Sequence, residues 1–299
     1  MITGFAFNLL AFFSQFFPNL SLYLRQAGAF SAGCQGNNCL VVESRVLGVK
    51  DWQPVFSTET ATRQKPLLQS NSCQQKLTGW LEKQPGQWAV NVYDPLRQEE
   101  FIFNEQAKFH AASVMKMATA ISVFDWMNVN KLDLHFSPQG QSLKNKLSLL
   151  INRSDNYQWA ELGSLVGLAN TQKLLEKNGL KNSNIYNNTM TAEDISLLLT
   201  KVYQGNLVSP RQRAFLLTAM QGTINENRLP QGVPEEVAVA HKYGSWQANI
   251  HDAGIVFQPE NPYIITVLTN GVPGAEVKIA EFSSLVYQLF SSETCQRLK

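Results

Sequence analysis

One serine and one lysine in this chain have the spacing of a nucleophile and its base. Ser113 and Lys116 form the only S-x-x-K segment, where a loop enters an apolar stretch with helical periodicity. Residues three apart share a helix face, so the amine can reach the hydroxyl. A hydroxyl needs an adjacent base to attack a carbonyl, and a partly desolvated lysine can be that base. Taken alone, however, the pair is better explained as a helix-capping serine and a surface lysine.

A second polar segment falls in the break after a helical pattern that ends near Ile151. Ser154-Asp155-Asn156 offers another hydroxyl and a side-chain amide, and Asp155 would hold the turn. The same residues also fit the cap of a helix that begins near Tyr157, because serine and aspartate are preferred at that position. Both interpretations stay open for this segment on its own.

A third segment lies at the end of a predicted strand. Lys242-Tyr243-Gly244 follows His241 and precedes Ser245. A glycine in a strand lets another backbone approach closely, and the lysine amine could hold an anionic group. A Lys-x-Gly triplet carries little information by itself, and this one matters because its strand could line a cleft.

The hydrophobic patterns around these segments predict a fold of the α/β (α+β) class. The predicted elements, in chain order, are a helix over Cys73–Lys83, strands over Gln87–Tyr93 and Glu100–Phe103, a helical block from Ala112 to about Leu199, strands over Val237–His241, His251–Phe257 and Tyr263–Thr269, and a last helix near Ala275–Ser292. This order indicates an antiparallel five-stranded sheet flanked by N- and C-terminal helices, with an all-helical subdomain inserted between its halves.

The chain divides into three regions by composition. The apolar run within residues 1–30 predicts a signal peptide or an N-terminal membrane anchor, with a buried amphipathic helix as the alternative. Residues 31–70 are polar and irregular, which is typical of a linker. The remaining domain covers 71–296, with a sheet part at 71–111 and 235–296 and a helical part at 112–234. We therefore expect an extracytoplasmic protein that is secreted, periplasmic or anchored to a membrane.

Composition excludes some classes of function. The chain has 299 residues, of which 44% are apolar and 16% charged, enough for one large globular domain. Its net charge of +2 comes without a basic cluster, which argues against a nucleic-acid partner. The cysteines form no C-x-x-C pair and lie apart from the histidines, so we expect neither a metal site nor another cofactor. The pairing of Cys34 with Cys39 stays open.

Together the three polar segments are far more specific than any one of them. Their order, at a helix start, in a turn between helices and on a sheet strand, resembles the motif set of penicillin-binding proteins and class A β-lactamases. The predicted sheet from both chain ends, beside a helical part, is similar to the fold of that family. Over about residues 70–295 the chain is therefore identified as similar to the class A β-lactamase-like serine hydrolases.

The resemblance implies catalytic roles for four residues. Ser113 would attack the carbonyl of a β-lactam or a D-alanyl cell-wall peptide and become acylated. Lys116, directly or through Ser154, would pass the serine proton to the leaving nitrogen. Lys242 would draw in the substrate carboxylate.

The resemblance also implies four substrate-binding residues, which are Asn156, Tyr243, Gly244 and Ser245. Asn156 would bind the substrate's side-chain amide, and the backbone N–H groups of Ser113 and Ser245 would form the oxyanion hole. Tyr243 departs from the family pattern, which has a threonine or serine at this place. Either Ser245 compensates for the lost short hydroxyl or the site prefers another substrate.

A disulfide follows from the same resemblance. In this family the first and last helices lie side by side on the sheet, which implies a Cys73–Cys295 bridge.

The residue expected to activate the deacylating water is missing. Class A β-lactamases carry a glutamate on a loop after the second motif, whereas residues 156–191 contain only Glu161 and Glu176, both in helical segments. Glu193 and Asp194 fit a capping box that Thr191 opens. We therefore predict that the serine can be acylated and that the ester is hydrolysed slowly, so a β-lactam would act more as a covalent inhibitor than as a substrate.

Two other functions remain as alternatives. One is a working β-lactamase whose water is activated by a non-standard base. The other is a catalytically idle module that binds peptidoglycan or a partner protein. Under each of these functions we expect that the N-terminal segment could associate with a membrane. His110, His251 and Asp252 lie near the motifs, and a structural role explains each better than acid–base work.

Overall fold

A computed structural model of the chain describes residues 71–292. The segments predicted as anchor (1–30) and linker (31–70), and the cysteines Cys34, Cys39 and Cys295, lie outside the described residues. The helices are α1 Asn71–Leu81, α2 Lys116–Val129, α3 Leu143–Asn152, α4 Asn156–Val166, α5 Leu168–Lys177, α6 Ala192–Gln204, α7 Pro210–Ala219 and α8 Ala275–Ser291. The strands are β1 Gln87–Asp94, β2 Glu99–Phe103, β3 Phe109–His110, β4 Thr189–Met190, β5 Val239–Trp246, β6 Asn249–Val256 and β7 Tyr263–Asn270. Short 3-10 helices cover Ala112–Met115, Pro138–Gly140 and Pro230–Gly232.

Five strands form one antiparallel sheet in the order β2-β1-β7-β6-β5. Val90 of β1 pairs with Phe103 of β2 on one side and with Val267 of β7 on the other, so the first and last strands within residues 71–292 are neighbours in the sheet. The predicted fold class and the predicted five-stranded antiparallel sheet are confirmed. Strands β1 and β7 are buried on both faces, because helices cover the sheet on both sides.

One face of the sheet carries the first and last helices. Leu77 and Leu81 of α1 and Phe282 of α8 pack with Val90 and Ile265 of the sheet in a single buried cluster. At about 25 cal/mol per Å² of buried apolar surface, such a cluster is the main stabilising term of a domain of this size. Helix α6 covers the opposite face, against β1, β6 and β7.

The helical subdomain is built around α2, in which every residue from Lys116 to Phe124 is buried. A helix that is apolar on every side belongs in the centre of a bundle, and α3, α4 and α5 pack around it. Thr191 caps α6 by accepting a hydrogen bond from the Asp194 backbone N–H at 3.2 Å. Among residues 71–292, no helix combines the length and the apolar character that crossing a membrane requires.

Two local details differ from the sequence prediction. Strand β5 does not stop at His241 but continues to Trp246, and a two-residue connection leads into β6. The polar residues Lys242 and Ser245 interrupt the hydrophobic pattern there, although backbone pairing with β6 continues. In addition, β3 and β4 form a small second sheet that two-residue strands give no pattern to predict.

Candidate active site

Ser113 lies on a tight turn between β3 and α2. The turn is the 3-10 helix Ala112–Met115, and Ala112 has the left-handed φ of +49° that residues other than glycine rarely adopt. Contacts with Asn188 hold this conformation, since the Ala111 N–H donates to the Asn188 backbone carbonyl at 2.7 Å and the Asn188 side-chain amide donates to the Ala112 carbonyl at 3.2 Å. The turn presents Ser113 half-buried, ahead of the helix rather than inside it.

Strand β5 runs directly along this turn at Gly244. A Cβ built on Gly244 would lie 3.1 Å from the Ala111 oxygen, the Ala112 Cβ and the Ser113 backbone nitrogen. That spacing is tighter than ordinary van der Waals contact, so a side chain at position 244 would have to push the Ser113 turn away from the strand. The backbones of Ser113 and of the strand that carries Ser245 are thereby brought together.

Lys116 is the first residue of α2 and is fully buried. Its Nζ donates to Ser154 Oγ at 3.1 Å, to the Ser154 carbonyl at 2.5 Å and to Asn156 Oδ1 at 2.7 Å. Burial lowers the pKa of Lys116 to about 7, against the opposing negative charge of Asp155. The Ser113–Lys116 motif and the Ser154–Asn156 motif therefore meet at the Lys116 amine, which is partly deprotonated near pH 7.

The second motif is the turn between α3 and α4. Asp155 caps α4 by accepting from the Gln158 backbone N–H at 2.8 Å, and its own N–H donates to the Leu149 carbonyl. Ser154 has a φ of +55°, which turns its hydroxyl and its carbonyl towards Lys116. Asp155 thus stabilises the turn, while its neighbours on either side face the amine.

Lys242 is the second buried amine of the site. It lies on β5, with Nζ 3.0 Å from the Tyr243 carbonyl to which it donates and 4.0 Å from the centroid of the Tyr243 ring. Burial holds the pKa of Lys242 well below its usual range; the charges of Lys116 and Arg228 lower it further and Asp252 opposes them.

Arg228 is a site residue that sequence reasoning missed. Its buried guanidinium donates to the Gly244 carbonyl at 3.0 Å, to the His251 carbonyl at 2.7 Å and to Ser245 Oγ at 2.7 Å. Glu276 lies 3.5 Å away as its ion-pair partner. No motif surrounds Arg228, and only the fold shows that it joins β5 and β6 beside Ser245.

His241 is buried between two carboxylates. Its Nδ1 lies 2.8 Å from Asp252 Oδ1, and its Nε2 lies 3.0 Å from Glu226 Oε1. Burial favours the neutral ring, but the two carboxylates outweigh it and raise the pKa of His241 to about 9. Asp252 also accepts from the Leu229 N–H, so this ion pair joins β5, β6 and the loop after α7.

His251 is a neutral structural residue in the structure. The Thr269 N–H donates to its Nδ1 at 3.1 Å, and its Nε2 donates to the His110 carbonyl at 2.9 Å. Burial lowers the pKa of His251 to about 4, consistent with the neutral ring that these two contacts require. The ring of His110 stacks on Trp246 with centroids 5.5 Å apart.

Three carboxylates that follow the second motif are engaged with partners other than Ser113. Glu161 pairs with Lys146, and Glu176 accepts from Gln172 Nε2 at 2.9 Å. Asp194 accepts from Ser183 Oγ at 2.7 Å. Within the range 71–292, no three His, Cys, Asp or Glu residues are grouped so that they could hold a metal ion.

Comparison of the chain with models of known protein families identifies its family. The profile described as "Beta-lactamase enzyme family" matches residues 72–137 and 137–290. The chain belongs to this β-lactamase enzyme family. It is thus a β-lactamase-like serine hydrolase, as its three polar segments indicate. No curated protein matches this family member at a significant level.

Solved structures agree with the family in fold. PBP-A matches with 22% identity over 76% of this chain and 97% of its own, at a TM-score of 0.69. A β-lactamase from Chitinophaga pinensis matches with 24% identity over 74% of this chain and 100% of its own, also at a TM-score of 0.69. A point mutant of PBP-A, described as an acyl-enzyme complex with penicillin G, matches with 22% identity over 76% of this chain and 98% of its own, at 0.69.

Proposed function

We propose that this chain is an acyl-transfer enzyme in which Ser113 is acylated by β-lactams or D-alanyl cell-wall peptides and released slowly. The observation that carries the proposal is the environment of Lys116. Lys116 follows Ser113 by three residues, and its buried amine donates hydrogen bonds to Ser154 and Asn156. The pKa of this amine is about 7. A base must be partly unprotonated at the working pH, and this amine is.

Acylation would follow a simple proton path. Ser113 Oγ bonds to the substrate carbonyl carbon, and its proton passes to neutral Lys116. As the carbon–nitrogen bond breaks, a proton moves through Ser154 Oγ, 3.1 Å from Lys116 Nζ, to the leaving nitrogen. The negative charge on the substrate oxygen would be stabilised by the backbone N–H groups of Ser113 and Ser245, where one such donor is worth about 2.7–4 kcal/mol.

Slow release would follow from the missing general base. The ester needs an activated water, and each carboxylate of Glu161, Glu176 and Asp194 already has a different partner. The penicillin G acyl-enzyme described for a PBP-A mutant supports the acylation step, since that protein shares the fold. We further propose that the protein acts on the cell wall, outside the cytoplasm. The predicted Cys73–Cys295 disulfide would stabilise it there.

One experiment tests the proposal. The protein is incubated with benzylpenicillin while intact mass is followed, and a chromogenic cephalosporin reports turnover in parallel. We expect a lasting adduct on the native protein and on Ser164→Ala, an exposed serine of α4 that serves as control, and none on Ser113→Ala. Many turnovers per second would instead show a working β-lactamase with another base. The absence of both adduct and turnover would indicate a binding module.

A further inference from the structure

Two aromatic rings pack against each other where the Ser113 turn meets strand β5. The imidazole of His110, three residues before Ser113, stacks on the indole of Trp246, with ring centroids 5.5 Å apart and an angle of 25° between the planes. Trp246 is the last residue of β5 and directly follows Ser245. Stacked aromatic rings attract each other beyond the effect of the apolar area that they bury. The stack therefore joins the segment before Ser113 to the end of the strand that carries Ser245.

The His110 ring also fixes the backbone that leads into Ser113. The Ala112 N–H donates to His110 Nδ1 at 3.2 Å, and the Val114 N–H donates to the Ala111 carbonyl at 3.1 Å. The N–H groups on either side of Ser113 are thus bound within the turn. These two contacts fix the direction of the Ser113 N–H that lies between them.

The first of these hydrogen bonds requires a particular form of the His110 ring. A neutral imidazole has one nitrogen that accepts, and two donors face this ring. The Ala112 nitrogen lies 3.2 Å from Nδ1, and the Asn188 amide nitrogen lies 3.5 Å from Nε2. The shorter contact assigns the accepting lone pair to Nδ1, so Nε2 carries the proton. Burial lowers the pKa of His110, which favours this neutral form.

The sheet is held to the turn at two further points. An added Cβ on Gly244 would lie only 3.1 Å from the Ser113 nitrogen, and His251 of β6 donates from Nε2 to the His110 carbonyl at 2.9 Å. Both contacts lie level with Gly244, because His251 is its partner in the β5–β6 ladder. The aromatic stack adds a contact beyond Ser245. The strand is therefore held to the turn on both sides of that residue.

We propose that His110 and Trp246 are positioning residues, whose stacked rings set the distance between the backbone N–H groups of Ser113 and Ser245. The inference rests on the proposed function, in which these two groups stabilise the oxyanion. Such donors must lie about 2.7–3.1 Å from the place where the negative charge develops. Because the two N–H groups belong to different segments of the chain, their spacing depends on the contacts that hold those segments together.

Four variants separate the stack from the hydrogen bond. Trp246→Leu and His110→Asn each remove the stack, and the asparagine oxygen can still accept from the Ala112 N–H. Trp246→Phe keeps an aromatic ring against His110. Trp126→Leu is the matched control, because Trp126 packs on Phe136 in another aromatic pair near the far end of α2. Thermal unfolding confirms that each variant is folded.

Benzylpenicillin is the probe for all variants. The concentration dependence of adduct formation separates the dissociation constant of the first complex from the acylation rate constant. We expect Trp246→Leu and His110→Asn to lower the acylation rate constant about tenfold and to leave the dissociation constant nearly unchanged. The effect is smaller than the loss of about 10²–10³-fold on deletion of a donor, since both N–H groups remain.

The other variants should behave differently. Trp246→Phe should keep most of the native acylation rate, and Trp126→Leu should keep all of it. Because Trp246→Leu and His110→Asn remove the same contact, the double variant should be about as slow as either single one.

The carbonyl of the acyl-enzyme gives a second readout. With benzylpenicillin isotopically labelled at the β-lactam carbonyl carbon, infrared difference spectra show the stretching band of the Ser113 ester. Hydrogen bonds from the oxyanion hole weaken the carbonyl bond and lower its frequency. Trp246→Leu and His110→Asn should therefore move the band to higher wavenumber. A loss of packing that left the two N–H groups in place would not move it.

The possible failures are distinguishable. An unchanged acylation rate constant and an unchanged carbonyl band in folded Trp246→Leu and His110→Asn would overturn the positioning role and leave acylation of Ser113 intact. A rise in the dissociation constant alone would also contradict the inference, because the stack would then contribute to substrate binding. An absence of adduct on the native protein would instead refute the proposed function, and this inference with it.

Discussion

The Lys116 amine donates a hydrogen bond to Asn156 Oδ1 at 2.7 Å, and this contact joins two helices of the subdomain through a residue of each motif. This acceptor and the two oxygens of Ser154 are uncharged, so none of the three stabilises the positive charge of Lys116 as a carboxylate would. That choice of partner keeps the effect of burial on the pKa of Lys116 largely uncompensated.

The rate of acylation should rise with pH through about 7. Lys116 is a base only when neutral, and its pKa of about 7 means that the neutral fraction grows from small to dominant across that value. We expect the rate constant of penicillin adduct formation to increase about tenfold per pH unit below 7 and to level off above it. A profile that is flat through this range would assign the base to another group.

Asn156→Asp should move that profile to higher pH. A carboxylate 2.7 Å from Nζ stabilises the ammonium and raises the pKa of Lys116, so less neutral amine is present at pH 7. Acylation should slow at pH 7 and recover as pH rises. Asn145→Asp, an exposed position on α3, is the matched control and should leave the profile in place. A uniform loss of rate at every pH would contradict a change in the pKa of Lys116.

Gly244→Ala should impair both stability and acylation. The added methyl would lie 3.1 Å from three atoms of the Ser113 turn, and most of these belong to backbone that can move only with the turn. Overpacking of this kind typically costs about 1–3 kcal/mol of unfolding free energy.

Gly79→Ala on α1 is the matched control. No atom lies within 4 Å of its added methyl, and alanine is preferred to glycine inside a helix by about 0.5–1 kcal/mol. Gly244→Ala should lower both the free energy of unfolding in urea and the rate of adduct formation. Gly79→Ala should raise the free energy of unfolding slightly. Equal behaviour of the two variants would show that the turn tolerates displacement.

His241 should make the protein less stable at alkaline pH. Its pKa is raised from 6.5 to about 9 on folding, so its contribution is complete below pH 6.5 and is lost as pH rises through about 9. Glu226→Gln removes one of the two carboxylates and should reduce the loss of unfolding free energy between these pH values. Glu235→Gln, an exposed neighbour, should change nothing. An identical pH dependence in both variants would exclude Glu226 as a source of the shift.

Local patterns made much of the fold and the three motifs predictable. Ser113, Lys116 and Ser154-Asp155-Asn156 sit at helix boundaries that hydrophobic periodicity marks, and apolar runs separated by turn residues mark the strands of the sheet. Arg228 could not be found in this way, because its partners at Gly244, Ser245 and His251 come together only through strand pairing. Nor could the position of the Tyr243 ring over Lys242, which depends on packing around β5 rather than on spacing.

The central place of β7 in the sheet has a consequence for how the protein folds during its synthesis. Strand β1 pairs with β7, the last strand to be synthesised, as well as with β2. The inner edge of the β1–β2 hairpin therefore cannot pair until most of the chain has been made. Contacts between residues so distant in sequence also slow folding. A ribosome-bound chain holds Ser113 long before it holds β5, which carries Lys242, so the three motifs come together only after most of the chain has been made.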